Sequence, residues 1–202
     1  TRTALLGKAT TLTNQIADTY RAFEAQWQQA RVEANATVSQ VNTAAQAIAD
    51  LNSEIRGVLV SGGSANELID QRSELVTQLS SLVGAAGRLK EDGTMDVMIA
   101  GNQLVTGERA QTLQVQGSYV MNAAIAEPPV VTDVVRLSWG GTGTPLVLDG
   151  GSLAGTITSL SPASFGGPIA TAVDTVNRTA TDLAAVVNAV HSGAQTLAAP
   201  PN

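Results

Sequence analysis

The sequence predicts an α+β protein: an elongated antiparallel helical bundle with a small antiparallel β subdomain inserted into it. The bundle comprises a long N-terminal helix, a helical hairpin and a long C-terminal helix. Three observations predict this. Apolar residues recur every three or four positions at both ends of the chain. The stretch between them changes to two-residue alternation broken by glycines. Aromatic residues make up 3% against 44% hydrophobic residues overall, and a core of Ala, Val and Leu packs closely, which suits helix on helix.

Positions 3–56 contain no proline, and their only glycine is Gly7. Leu5, Ala9, Leu12, Ile16, Tyr20, Phe23, Trp27, Ala30, Ala34, Val38, Val41, Ala45, Ile48, Leu51 and Ile55 form one stripe near the heptad spacing. They predict a single rod of about 80 Å, at about 1.5 Å per residue, ending around Gly57. Ser61-Gly62-Gly63 makes a turn, and Ser64 with Glu67 has capping-box spacing for a second helix. That helix carries Leu68, Leu75, Leu79 and Leu82 and stops at Gly84. Asp92-Gly93 predicts a type I′ hairpin turn before the alternating Met95, Val97 and Ile99. Leu113 to Val115, Val130 to Trp139 and Leu146 to Leu148 are further strand candidates. A short helix is expected after Gly150-Gly151, and a long one after Gly166-Gly167-Pro168. The stripe of this last helix is Ile169, Val173, Val176, Ala180, Leu183, Val187, Val190, Ala194 and Leu197. Its long apolar partner is the first helix, so the chain ends are expected side by side. The domains then read as a helical rod of residues 1–84 and 150–202 and a β-rich insert of residues 85–149. Pro200-Pro201 closes the sequence, and such a rod is expected to continue at both ends.

Composition narrows the function. The 202 residues (20.6 kDa) carry a net charge of −6, a pI near 4.6 and no basic run, which argues against nucleic-acid binding. No apolar stretch reaches the roughly 20 residues of a membrane span, so no membrane insertion is expected. Zero cysteines exclude disulfides, zinc ribbons and thiol catalysis, and fit an exported protein. The single histidine, His191, rules out a His-based metal cluster; near the end of a helix, it reads as structural. Gly140-Gly141-Thr142-Gly143 leads to a strand and not a helix, so it is no phosphate cradle. Tyr20, Phe23 and Trp27 share a helical face and read as core in preference to a sugar- or partner-binding stripe. Arg72, four residues after Leu68 and three before Leu75, falls on the buried stripe of the second helix. There it is expected to clamp a carboxylate, either Glu54 of the first helix or an acid of the β unit such as Asp96.

The residues that carry a family resemblance lie mostly in the first half. Val41-Asn42, Ile48-Ala49-Asp50-Leu51-Asn52 and Asn66-Glu67-Leu68-Ile69-Asp70-Gln71-Arg72 are joined by Leu75-Val76, Leu82-Val83-Gly84, Asp92-Gly93-Thr94 and Leu104-Val105-Thr106-Gly107. With Leu183, Asn188, His191 and Gly193 further on, this pattern resembles the FlgK family of flagellar hook-associated proteins. The resemblance marks Leu51, Asn52, Asp70, Gln71, Arg72, Leu75, Asp92 and Gly93 as structural family-motif residues. It implies a secreted, extracellular structural subunit joining flagellar hook to filament, with no catalysis, no cofactor and no metal. The implied partners are the hook protein, the adjacent hook-associated protein and the flagellar export machinery. Further copies would complete a ring in the full-length protein, whereas a central fragment lacking both terminal segments is expected to be monomeric. Two other readings stand beside it: another flagellar filament or hook-associated component, and an extracellular carbohydrate- or host-surface-binding module that uses the β unit.

Overall fold

A computed structural model describes residues 2–193. Helix α1 runs unbroken over Arg2–Val60, 59 residues or about 88 Å at about 1.5 Å per residue. Gly57 does not end it. The chain leaves the helix one turn later, where Gly62 takes φ 78° and the Gly63 amide reaches the Val58 carbonyl at 2.9 Å, a Schellman closure.

Helix α2 spans Asn66–Val83 and folds back antiparallel along the C-terminal half of α1, with Leu75 beside Ala47 and Leu51. The expected capping box is absent. Buried Ala65 is the N-cap residue, so Ser64 lies one position too far out to reach the first turn. Gly84 ends α2 with φ 67° and donates to the Leu79 and Ser80 carbonyls.

The expected single β region resolves into two antiparallel meanders. The first has strands β1 (Ala86–Leu89), β2 (Met95–Ile99), β3 (Asn102–Thr106) and β4 (Arg109–Ala110) in that order. The second has β5 (Leu113–Gln116), β6 (Arg136–Trp139) and β7 (Pro145–Leu146), with the one-turn helix α3 (Met121–Ala124) between β5 and β6. The β1–β2 turn is not type I′. Only Gly93 takes positive φ, at 82°, and its amide bonds to Lys90 O at 3.1 Å, a three-residue loop with glycine in the left-handed position. The strand expected from Val130 is shorter than its apolar pattern. Asp133 and Val134 donate back to the Val130 carbonyl, turning the chain before Arg136.

Helix α4 (Ser152–Ser159) follows, then a single 3-10 turn at Ala163–Phe165 and helix α5 (Pro168–Gly193). Helix α5 runs antiparallel to the N-terminal half of α1, with Val176 beside Ile16 and Leu183 and Val187 near Leu12. Helix α4 fills the space between α2 and α5. One continuous core joins Trp27, Ile48, Leu79, Leu153, Leu160 and Val173 of the helices to Val97, Leu104, Leu113 and Leu137 of both sheets. The two long stripes are covered unevenly. Most stripe residues from Trp27 of α1 and up to Val173 of α5 are enclosed, with Ala30 and Leu51 half-buried, whereas Leu12, Val187 and Val190 are exposed. The side chains of Leu5 and His191, together with Ala194, Leu197, Pro200 and Pro201, lie outside the described residues.

Candidate functional site

Four separated sequence segments meet at one buried polar node. Asn52, on the inner face of α1, has no exposed surface, and its amide makes four hydrogen bonds. Its Oδ1 accepts from the Met95 amide (2.9 Å) and from Arg72 Nη1 (2.8 Å). Its Nδ2 donates to Met95 O (2.8 Å) and Gly107 O (2.6 Å). An amide offers two donors and accepts at its oxygen, so this set satisfies Asn52 and spares three backbone groups an unpaired burial.

Arg72, 1% exposed, is the second member. Its Nη1 also donates to Gly93 O at 2.7 Å, which fastens α2 to the β1–β2 turn. The expected carboxylate partner is not there. Glu54 stands on the outer groove between α1 and α2, while Asp96 accepts from the Gly107 amide (2.8 Å) and sits 3.4 Å from Lys90 Nζ. Arg72 therefore stays buried on neutral partners alone; burial lowers its pKa, and its Nε finds no partner. Charge-assisted bonds to an amide and a carbonyl offset part of that cost. Asp92 shapes the same turn from outside: its Oδ1 accepts from the Thr94 hydroxyl (2.6 Å) and amide (3.0 Å). These two bonds, the hydroxyl first, hold its carboxyl below the usual aspartate range.

The motif residues thus divide. Asn52, Arg72 and Gly93 come together in the node, with Asp92 at its edge. Leu51, Gln71 and Leu75 line an open groove between α1 and α2 that none of the node residues lines, and Asp70 is exposed.

Two further studs repeat the theme along α1. Asn42 pairs with Leu113 of β5 as a strand neighbour would, donating to its carbonyl (2.9 Å) and accepting from its amide (2.8 Å). Arg31, 2% exposed, donates to Asn35 Oδ1 (2.7 Å) and Val115 O (3.3 Å) and lies 4.2 Å from the centre of the Tyr119 ring. Burial lowers its pKa, and Tyr119 opposes that shift. Arg31 went unread in the sequence although its signal was present. Trp27-Arg31-Ala34, Val38-Asn42-Ala45 and Ile48-Asn52-Ile55 all share the four-then-three spacing that placed Arg72 on a buried stripe.

The node is a joint by its chemistry. It holds a guanidinium, an amide and backbone groups, none of which changes its protonation state near neutral pH. Trp27 is fully buried with Nε1 donating to Leu160 O (3.3 Å), whereas Phe23 and Tyr20, which hydrogen-bonds Asn122, are half-buried and pack against the same core. Among the described residues no three His, Asp or Glu side chains gather as a metal site. Gly140 to Gly143 forms the tip of the β6–β7 hairpin, where the Gly143 amide bonds to Trp139 O at 2.8 Å.

Comparison with known proteins agrees with this architecture. The profile of the flagellar hook-associated protein FlgK helical domain matches residues 1–201. Flagellar hook-associated protein 1 of Salmonella typhimurium is 36% identical over 115 residues, which are 55% of this chain and 21% of that protein. The Escherichia coli K12 protein of the same name matches to the same extent. The alignments thus span about a fifth of the curated relatives' length. The structure of the flagellar hook junction protein FlgK from Burkholderia pseudomallei superposes with a TM-score of 0.62 at 26% identity, covering 76% of this chain and 27% of that one. A profile match over nearly every residue, on a fold shared with that junction protein, shows that this chain belongs to the FlgK helical-domain family.

Proposed function

We propose that this chain is the helical domain of a structural subunit at the hook–filament junction of a bacterial flagellum, a mechanical link and not an enzyme. Residues 1–84 and 150–202 serve as its rod and residues 85–149 as a β-rich insert. The observation that carries this reading is the unbroken 59-residue α1, to which both sheets are fastened through the amides of half-buried Asn42 and buried Asn52. A stiff helix with non-reactive joints transmits force and holds spacing. Leu51, Asn52, Asp70, Gln71, Arg72, Leu75, Asp92 and Gly93 act here as structural residues.

On this reading the full-length protein joins the hook protein to the adjacent hook-associated protein, assembles as a ring and reaches the cell exterior through the flagellar export machinery. Residues 1–202 alone are monomeric. The role needs no cofactor, metal or nucleic acid, and no described helix is long and apolar enough to cross a membrane. Immunogold labelling of the tagged full-length protein on intact cells tests it. A single focus between hook and filament is expected. Label spread along the filament would favour another filament component, and label on the cell body would favour a surface-binding module; either result overturns the proposal.

A further inference from the structure

We propose that the open groove between α1 and α2 docks a basic amphipathic helix from a different protein. Its floor is Ala47 with half-buried Leu51 and Leu75, and its walls are Asp50, Glu54 and Glu74, enclosing about 420 Å³. A second recess of about 240 Å³, sharing Ala47 and Leu75, continues it toward Ser39 and Gln78. The α1 wall from Gln40 to Glu54 is roughly 21 Å long at about 1.5 Å per residue, enough for about four turns of a bound helix.

Charge identifies the occupant. Among the described residues the ion pairs join Arg21 to Asp18, Arg56 to Glu108, Lys90 to Asp96 and Arg178 to Asp174. None includes Asp50, Glu54 or Glu74. Glu67 and Asp70 extend the acidic wall one turn back along the same rows of α2. The nearby cations are spent elsewhere, since Arg72 turns into the buried node and Arg56 pairs with Glu108. Asp50 accepts only a neutral bond from Gln46 Nε2 (2.9 Å), and an apolar floor between acids outside any ion pair is complementary to a helix whose Leu or Ala stripe is flanked by Lys and Arg. A second copy does not offer that complement: no two basic residues lie within four positions of each other on α1, α2 or α5. Of the four motif residues that the buried node leaves unused, Leu51, Gln71 and Leu75 line this groove.

The test titrates the isotope-labelled chain with a synthetic helix of about 18 residues, carrying a Leu/Ala stripe flanked by Lys and Arg, and follows amide chemical shifts. Saturable shifts centred on Ala47, Leu51, Gln71 and Leu75 are expected. Affinity should fall about tenfold between about 50 and about 300 mM salt. The triple variant Asp50→Asn, Glu54→Gln, Glu74→Gln, checked for an unchanged circular dichroism spectrum, should bind about fivefold more weakly or worse. All these substitutions lie on the exposed wall, away from the node. The proposal is overturned by equal binding of a peptide with its Lys and Arg replaced by Glu, by shifts mapping elsewhere, or by no saturable shift at about 1 mM peptide. Concentration-dependent shifts at the same residues without peptide would identify a second copy as the occupant and likewise overturn it.

Discussion

Replacing Asn52 by alanine removes the one side chain that touches three of the four segments meeting at the node. Four hydrogen bonds are lost, from Met95 N, Met95 O, Gly107 O and Arg72 Nη1, all in a site with no exposed surface. A typical bond contributes about 1 kcal/mol net, and a buried group left unpaired costs about 1–3 kcal/mol, with partial relief where Arg72 keeps Gly93. The expected loss is about 3–5 kcal/mol, a large share of the roughly 5–15 kcal/mol that stabilises a typical domain. In urea, with a slope of about 2 kcal/mol/M, the midpoint followed by circular dichroism should fall by roughly 1.5–2.5 M without a change in slope. Ser53→Ala, at the exposed neighbouring position, should stay within about 0.5 kcal/mol. Because Asn52 and Arg72 share a bond of 2.8 Å, the double variant with Arg72→Met should show about 0.5–3 kcal/mol of coupling. A loss below about 1 kcal/mol for Asn52→Ala, or additivity with Arg72→Met, would refute the node as the joint between hairpin and sheet.

Other expectations are narrower. Gly151 has φ +85°, and a Cβ there would lie 2.5 Å from the Leu82 carbonyl, so Gly151→Ala should cost more than about 2 kcal/mol by urea melt. Gly155, inside α4 with nothing within 4 Å of an added Cβ, should instead gain up to about 1 kcal/mol as alanine. Both tryptophans are buried, Trp27 fully and Trp139 at 9% exposure, so fluorescence should be blue-shifted and poorly quenched by acrylamide; a solvent-like emission would contradict the core. Thr94 holds the Asp92 carboxyl low, so the contribution of the ionised form is complete above the ordinary aspartate range and is lost as pH falls through the lowered value. The stability difference between the protein and Asp92→Ala should therefore be flat from about pH 5 to 7 and shrink below about pH 4.

The long helices were legible because one period persists over many turns and nothing interrupts it: Gly7 and Gly57 are the only glycines inside α1. The same period hid the node in part. After Ile48, both Leu51 and Asn52 keep a three-or-four step, and counting apolar residues selects Leu51, whereas the fold buries Asn52 and leaves Leu51 half-covered. Arg72 was placed on the buried stripe, but its partners were not, since the expectation of a carboxylate overlooks backbone carbonyls that only tertiary docking brings near. The short strands β1, β3 and β4 carry too few alternations to announce themselves, and Val130, Val131, Thr132 and Val134 are β-prone residues that the preceding prolines and a local turn at Asp133 override. The capping-box pattern failed because one buried residue, Ala65, takes the position that Ser64 would need.

The account depends on α1 being one unbroken strut. The sequence has no cysteine, so Gln15→Cys with Ser53→Cys, both exposed on α1, labels only those two sites for pulsed electron-spin distance measurement. A single narrow distribution near about 57 Å, the span of 38 residues at about 1.5 Å each, is predicted. A broad distribution, or one centred well below about 50 Å, would mean the helix is broken and would contradict the strut.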